Sequence, residues 1–326
     1  MIEGRKRLLD REQREHVLRA ADVDPGAVES FSPLGEATFN TAYRVRLTDG
    51  TGLVLKVAPD PAMPAMTYER DIMRTEELFY RTAAPVVPVP GVVCADFSRQ
   101  VIDSDFLLAT ELPGANWWAQ RSRITGAERT RLRTELGHVV AALHQVRGDG
   151  FGYPQREPAS SWRSAFLAML DLVLADAERF AAPLPWPVER IRQAVRRHAD
   201  VLDEVVTPVL VHFDLWAGNI LVDSGRITGL VDGERAFWGD PLADLASVAL
   251  FADIEQDPAF VSGYRAAGGR LTFDESTRRR LALYRGYLYL IMLIEGVPRG
   301  YSGPEHIEMT KLVSEHLLTA LAVLRA

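Results

Sequence analysis

The segment from 208 to 222 reads PVLVHFDLWAGNILV. Two runs of strand-favouring aliphatic residues enclose His212, Asp214, Trp216 and Asn219. Buried polar groups cost free energy unless they are paired or used, so this interruption demands a structure that pairs these side chains or puts them to use. The residues downstream suggest which one. Asp223-Ser224-Gly225 is a turn signal, and RITGLV at 226 to 231 is a second strand-like run, together predicting a hairpin. Asn219 then opens the outgoing strand and Asp232 closes the return strand, which places both at the same open end. Asp214, in the loop leading in, sits beside them.

The rest of the chain divides by period. Asp10 is an N-cap for a helix over 10–22, and strands are expected at 28–34, 39–47 and 52–58, the last two joined by Asp49-Gly50-Thr51-Gly52. A helix over Tyr68–Thr82 ends before PVVPVP, and two further strands fall near 91–97 and 105–111. From Pro113 the spacing is helical, at 125–146, 160–181, 187–203, 241–253, 274–296 and 304–325. A chain of 326 residues exceeds what one core usually sustains. The expected fold class is α+β and bilobal. Residues 1–112 form an N-terminal lobe with a five-stranded antiparallel sheet and one key helix; residues 113–326 form a larger, mainly helical C-terminal lobe.

A net charge of −7 argues against nucleic-acid or anionic-membrane partners, both of which need a basic face. No window offers the ~18 apolar residues of a membrane span, and the charged N-terminus lacks the apolar block of a signal peptide. A cytoplasmic location is expected. The single cysteine, Cys94, excludes an intramolecular disulfide.

At the hairpin end, an amide oxygen from Asn219 and a carboxylate from Asp232 suit Mg²⁺, which prefers hard oxygen ligands. Asp214, not committed to metal, is placed to accept a proton from a hydroxyl. Phosphoryl transfer needs that combination. Lys56, in GLVLKVAP, points the same way. Only Lys6, Lys56 and Lys311 are lysine among 37 basic residues, so an ammonium placed mid-strand between aliphatics is a departure from this chain's arginine habit. A buried ammonium needs a carboxylate, and YERDIMRTEELFYR offers Glu69, Glu76 and Glu77. On one continuous helix Glu69 and Glu76 share a face, so periodicity leaves both open. Asp240 followed by Pro241 reads as an N-cap with proline at N1, a structural role.

Lys56 in an early strand, a helical glutamate, HFDLWAGN and VDGERAFWGDPLADLA together resemble the aminoglycoside phosphotransferase family, small-molecule relatives of the protein kinases. ELPG at 111–114, ALH at 142–144 and FGYP at 151–154 extend the likeness from about residue 30 to 250. The resemblance implies a protein-kinase-like fold and transfer of the γ-phosphate of ATP or GTP to a small-molecule hydroxyl. An aminoglycoside, aminocyclitol or amino sugar leads as acceptor, and a cationic one fits the carboxylates Asp253, Glu255 and Asp257. Macrolides, choline, homoserine-like alcohols and fructosamines are alternatives, as is a non-catalytic nucleotide-binding protein. The resemblance further implies Asp214 as catalytic base, Asn219 and Asp232 as Mg²⁺ ligands, and Lys56 on the α- and β-phosphates, paired with Glu76. The strand end at Glu111 would line the adenine pocket with backbone groups, and the turn from Gly35 to Thr41 would cover the phosphates with amides. His212 would fix the catalytic loop structurally. Trp216, Glu234 and Asp253 are the candidates for acceptor contact. Gly233 follows Asp232 where protein kinases carry an aromatic residue, so an aromatic-driven inactive switch is not expected.

Overall fold

The computed structural model describes residues 7–35 and 39–324. Helix α1 (Arg11–Ala20) begins with a capping box, Asp10 accepting the Gln13 amide at 2.8 Å and the Gln13 side chain accepting the Asp10 amide at 3.1 Å. Strands β1 (Val28–Leu34), β2 (Thr41–Leu47), β3 (Gly52–Val57), β4 (Val92–Asp96) and β5 (Phe106–Thr110) make an antiparallel sheet in the order β1-β2-β3-β5-β4. On β3, Leu53, Leu55 and Val57 are buried with Tyr43, Val45 and the α1 residues Val17 and Leu18 in a small core. Side chains alternate along a strand, so Val54 and Lys56 face the other way, toward the helical region.

The helix expected over Tyr68–Thr82 is broken. Thr67–Glu69 is a 3-10 turn, Asp71 adopts a left-handed conformation at φ 59°, and helix α2 (Ile72–Ala83) starts only after it. Glu69 and Glu76 therefore do not share a helix. Ile72, Met73, Phe79, Tyr80 and Ala83 of α2 belong to the large core of the helical region rather than to the small core behind the sheet.

Beyond the sheet, β6 (Ala115–Asn116) leads into α3 (Trp117–Gln120), α4 (Gly126–Leu143), α5 (Trp162–Arg179) and α6 (Val188–Arg197). The expected hairpin is β8 (Ile220–Asp223) with β9 (Arg226–Leu230), and β6 pairs along β8 as a third strand. Before and after it, β7 (Val209–Val211) and β10 (Phe237–Gly239) pair antiparallel. Of the helix expected over 241–253, a 3-10 turn Pro241–Ala243 and the short α7 (Asp244–Val248) form, and α6 gives way to a 3-10 segment, Ala199–Glu204. Helix α8 (Pro258–Ala266), outside the expected helices, starts from Asp257 as N-cap with proline at N1. Helices α9 (Glu275–Glu295) and α10 (Pro304–Val323) close the chain. Among the described residues no helix is long and apolar enough to cross a membrane.

Candidate active site

Alternation on β3 aims Lys56 at two carboxylates from different elements. Its Nζ lies 2.5 Å from Glu76 Oε1 on α2 and also contacts Asp232 Oδ1, just past β9. Burial opposes charge on Lys56, but the Asp232 and Glu76 carboxylates outweigh it and hold the ammonium well above its ordinary pKa. Burial likewise works against the Asp232 carboxylate, and Lys56 overcomes it, leaving that pKa lowered. The choice between glutamates is settled geometrically, since Glu69 is paired with Arg299 instead. Tyr80 fixes Glu76 in turn: its hydroxyl donates to Glu76 Oε1 at 2.6 Å and accepts the Asp232 amide at 3.2 Å.

The loop between β7 and β8 is held by its backbone. His212 is fully buried, with Nε2 at 2.9 Å from the Val231 carbonyl and Nδ1 accepting the Asp214 amide at 3.2 Å. That pair of bonds fits a ring proton on Nε2, and it ties the loop to the residue before Asp232. Phe213, in a left-handed conformation at φ 61°, donates its amide to Asp244 Oδ1 at 2.6 Å. Asp244 also accepts the His212 amide at 3.2 Å and lies 3.0 Å from His144 Nε2. The sequence alone does not reveal this buried clamp. The ALH and DLA segments hold its two halves 100 residues apart, so no local spacing joins them.

Asn219 commits its amide nitrogen to Asp214, at 2.9 Å from the carbonyl and 3.1 Å from Oδ2. Its backbone carbonyl accepts the Val231 amide at 3.0 Å, which puts it level with the end of β9. Asn219 Oδ1 has no hydrogen bond to another described residue, and Lys56 contacts one oxygen of Asp232. An amide oxygen and a carboxylate oxygen thus remain at the hairpin's open end, a donor set that fits a hard divalent cation. Burial raises the Asp214 pKa, with Arg235 the main opposing charge.

Glu234 turns toward the sheet, accepting from Asn40 Nδ2 at 2.9 Å. Burial, aided by repulsion from Glu76 and Asp232 and opposed by Lys56, pushes its pKa up to about 8. Gly233 has a steric explanation. A Cβ there would stand 2.2 Å from the Phe79 ring of α2, so any side chain at 233 meets that ring. Phe79 also meets His212, ring centres 4.9 Å apart. Gly233→Ala is therefore expected to lower unfolding free energy by ~1–3 kcal/mol through overpacking. Turnover should also fall, because Phe79 shares α2 with Glu76. A denaturant midpoint equal to that of the parent protein would show that the ring yields freely.

Other expected residues lie elsewhere or serve other ends. The Glu111 side chain is bound by Arg44 and Arg46, each at 2.7 Å, and its amide donates to the Gly52 carbonyl, so only its carbonyl is left for a ligand. Thr41 faces the outer core side of β2, its hydroxyl accepting the Arg7 amide at 2.8 Å, because alternation groups it with Tyr43 and Val45. Gly35 follows β1 in a turn, and positions 36–38 of the expected phosphate-covering turn lie outside the described residues. Asp240 is the expected N-cap, accepting the Leu242 amide at 2.9 Å and also bound by Tyr284 and Arg280. Trp216 rests near Trp118, ring centres 6.2 Å apart. Asp253, expected to face an acceptor, instead caps a 3-10 turn and pairs with Arg285 at 3.0 Å. Glu255 pairs with Arg278 and Asp257 with Arg133. The acidic cluster is neutralised by arginine, residue by residue.

A strand-borne lysine thus bridges a helical glutamate and a carboxylate at a hairpin's open end, beside a clamped Asp–Asn loop. The chain belongs to the APH phosphotransferase enzyme family, whose profile matches residues 30–284. A Lactiplantibacillus plantarum protein provisionally named a ketoamine kinase is 36% identical over 254 residues, covering 74% of this chain and 80% of that protein. A Synechocystis protein of the same provisional name is 33% identical over 146 residues, 40% of this chain. That match spans about half of the Synechocystis protein, 46% of its length. Two solved structures share the fold. A Thermobifida fusca protein provisionally named a fructosamine-3-kinase has a TM-score of 0.66 at 22% identity, covering 97% of each chain. Aminoglycoside phosphotransferase APH(4)-Ia, as a thermostable mutant with AMP-PNP and hygromycin B, has a TM-score of 0.65 at 20% identity, covering 96% of this chain and 99% of its own.

Proposed function

We propose that the protein is a kinase that moves the γ-phosphoryl group of ATP or GTP to a hydroxyl of a small, sugar-derived amine. The observation that carries this reading is the contact of Lys56 with both Glu76 and Asp232, beside the Asn219–Asp214 pair. Lys56 binds donor phosphates as a compact cation, and Glu76 holds it in place. Asp214 orients the acceptor hydroxyl and takes its proton as the oxygen–phosphorus bond forms. The bond from the γ-phosphorus to the bridging oxygen breaks, and the nucleoside diphosphate leaves. Asn219 and Asp232 would hold Mg²⁺, which when bound neutralises phosphate charge.

Among acceptors a ketoamine ranks first and an aminoglycoside second. A polycationic aminoglycoside calls for free carboxylates, and Asp253, Glu255 and Asp257 are each paired with arginine. The ketoamine-kinase name of the Lactiplantibacillus relative supports the same order. The test is coupled ATP and GTP consumption across fructosamines, aminoglycosides, amino sugars, macrolides and small alcohols. Fructosamines are expected to exceed aminoglycosides in kcat/KM by ~10-fold or more, the effect of one good contact in the transition state. Preference for aminoglycosides would reverse the order, and a rate that no acceptor raises above the acceptor-free background would refute the kinase reading.

A further inference from the structure

A chain of ion pairs runs from Asp214 through the buried Arg235, Glu295 and Arg299 to Glu69 in the turn before α2. Arg235, 8% exposed, has two carboxylates within reach: Nη2 meets Glu295 Oε2 at 2.7 Å, whereas Nη1 stands 3.8 Å from Asp214 Oδ1. Glu295, the last residue of α9, also receives Arg299 Nη1 at 3.1 Å. Arg299, 5% exposed, pairs with Glu69, and its guanidinium lies 4.9 Å from the Phe39 ring centre. Glu69 in turn accepts the Met66 amide at 2.7 Å. Signs alternate along Asp214, Arg235, Glu295, Arg299 and Glu69. Glu295 and Arg299 lie beyond residue 284, where the family profile stops.

A buried guanidinium must be paired. Arg235 hydrogen-bonds to Glu295 and is left at a distance from Asp214. The difference matters because a carboxylate acting as base needs a lone pair directed at the acceptor, and a guanidinium fork readily occupies both oxygens. At 3.8 Å, Arg235 supports the charge on Asp214 without taking its oxygen.

We infer that Glu295 and Arg299 are positioning residues for the base: Glu295 holds Arg235 off Asp214, and Arg299 anchors Glu295 to the Glu69 turn and to Phe39. The inference rests on the reading of Asp214 as the base. It is tested on the full chain by steady-state kinetics, nucleotide calorimetry and thermal melting of Glu295→Gln and of Glu295→Gln combined with Arg235→Gln. The single variant frees Arg235 to close on Asp214, so kcat is expected to fall ~100-fold, the scale of a misplaced catalytic group. Acceptor KM and nucleotide affinity are expected to stay within about threefold, the signature of an interaction made in the transition state. The second substitution removes the competing cation while leaving Arg299 and Glu69 paired, and is expected to recover about tenfold of the lost kcat. A residue that only supports the fold gives the opposite order, with the double variant worse than the single.

Wild-type kcat in Glu295→Gln, or a double variant no faster than the single, overturns the inference. If Glu295→Gln does not fold, Arg299→Lys replaces it; lowered kcat with unchanged nucleotide affinity supports the relay, and wild-type kcat overturns it. A wild-type protein that phosphorylates no acceptor refutes the kinase reading itself. Turnover by wild type matched by Glu295→Gln leaves that reading standing and removes the relay alone.

Discussion

Asp214→Ala is expected to lower kcat by ~10²–10⁴-fold, the usual contribution of a positioned general base, with nucleotide affinity by calorimetry within about twofold. Such a split requires the loop to survive loss of the carboxylate, and its architecture provides for that. The loop hangs from backbone bonds: the Asp214 amide on His212 Nδ1, the Phe213 amide on Asp244, and the Leu215 amide on Ser247 Oγ at 2.9 Å. None of these involves the Asp214 side chain. Asn219 loses one acceptor, Asp214 Oδ2, but keeps the Asp214 carbonyl at 2.9 Å, so its amide oxygen should hold its direction. The Lys56 contacts with Glu76 and Asp232 are likewise independent of residue 214. Asp214→Asn is the stricter control, because it preserves shape and removes the basic oxygen. Turnover by either variant near the wild-type rate would take Asp214 out of the chemistry.

Turn signals around the hairpin and a lysine set mid-strand in an arginine-rich chain made Asn219, Asp232 and Lys56 legible as candidates in the sequence, because those signals are local. The break before α2 was not. YERDI reads as continuous helix, and although aspartate tolerates the left-handed region better than most residues, nothing local singles out Asp71 for it. That single backbone choice separates Glu69 from Glu76 and sends one to Arg299 and the other to Lys56. The partners of Asp253, Glu255 and Asp257 were hidden for a related reason. Sequence displays charge but not its partner, and in a chain with so many arginines a carboxylate cluster is easily neutralised from α4 and α9. Long-range pairing explains the other omissions, His144 with Asp244 and Arg235 with Glu295. Gly233 was visible as a departure from the kinase pattern, yet its reason, Phe79 arriving from α2, is tertiary.

Lys56→Arg keeps the charge and is nonetheless expected to reduce kcat/KM by ~100-fold or more, close to the loss in Lys56→Met. The reason is shape. The ammonium offers three tetrahedral donors, of which Glu76 Oε1 and Asp232 Oδ1 take two, leaving a third for a donor phosphate. A guanidinium is longer and planar, and it prefers to meet a carboxylate through two parallel bonds. Glu76 Oε2 is buried without a hydrogen bond, so a fork would settle on Oε2 and on the Oε1 position that Lys56 holds beside the Tyr80 hydroxyl, and its donors would turn away from Asp232 and the donor phosphate. Substitution at one strand position therefore disturbs α2 and the end of β9 together. Lys311→Arg, on the exposed side of α10, is the matching control and is expected to change kcat/KM by less than about twofold, as surface substitutions generally do. Lys56→Arg at the wild-type kcat/KM would mean that only the charge matters at this position, and the pairing with Glu76 and Asp232 would then be an ordinary ion pair between elements rather than a device for presenting a cation to phosphate.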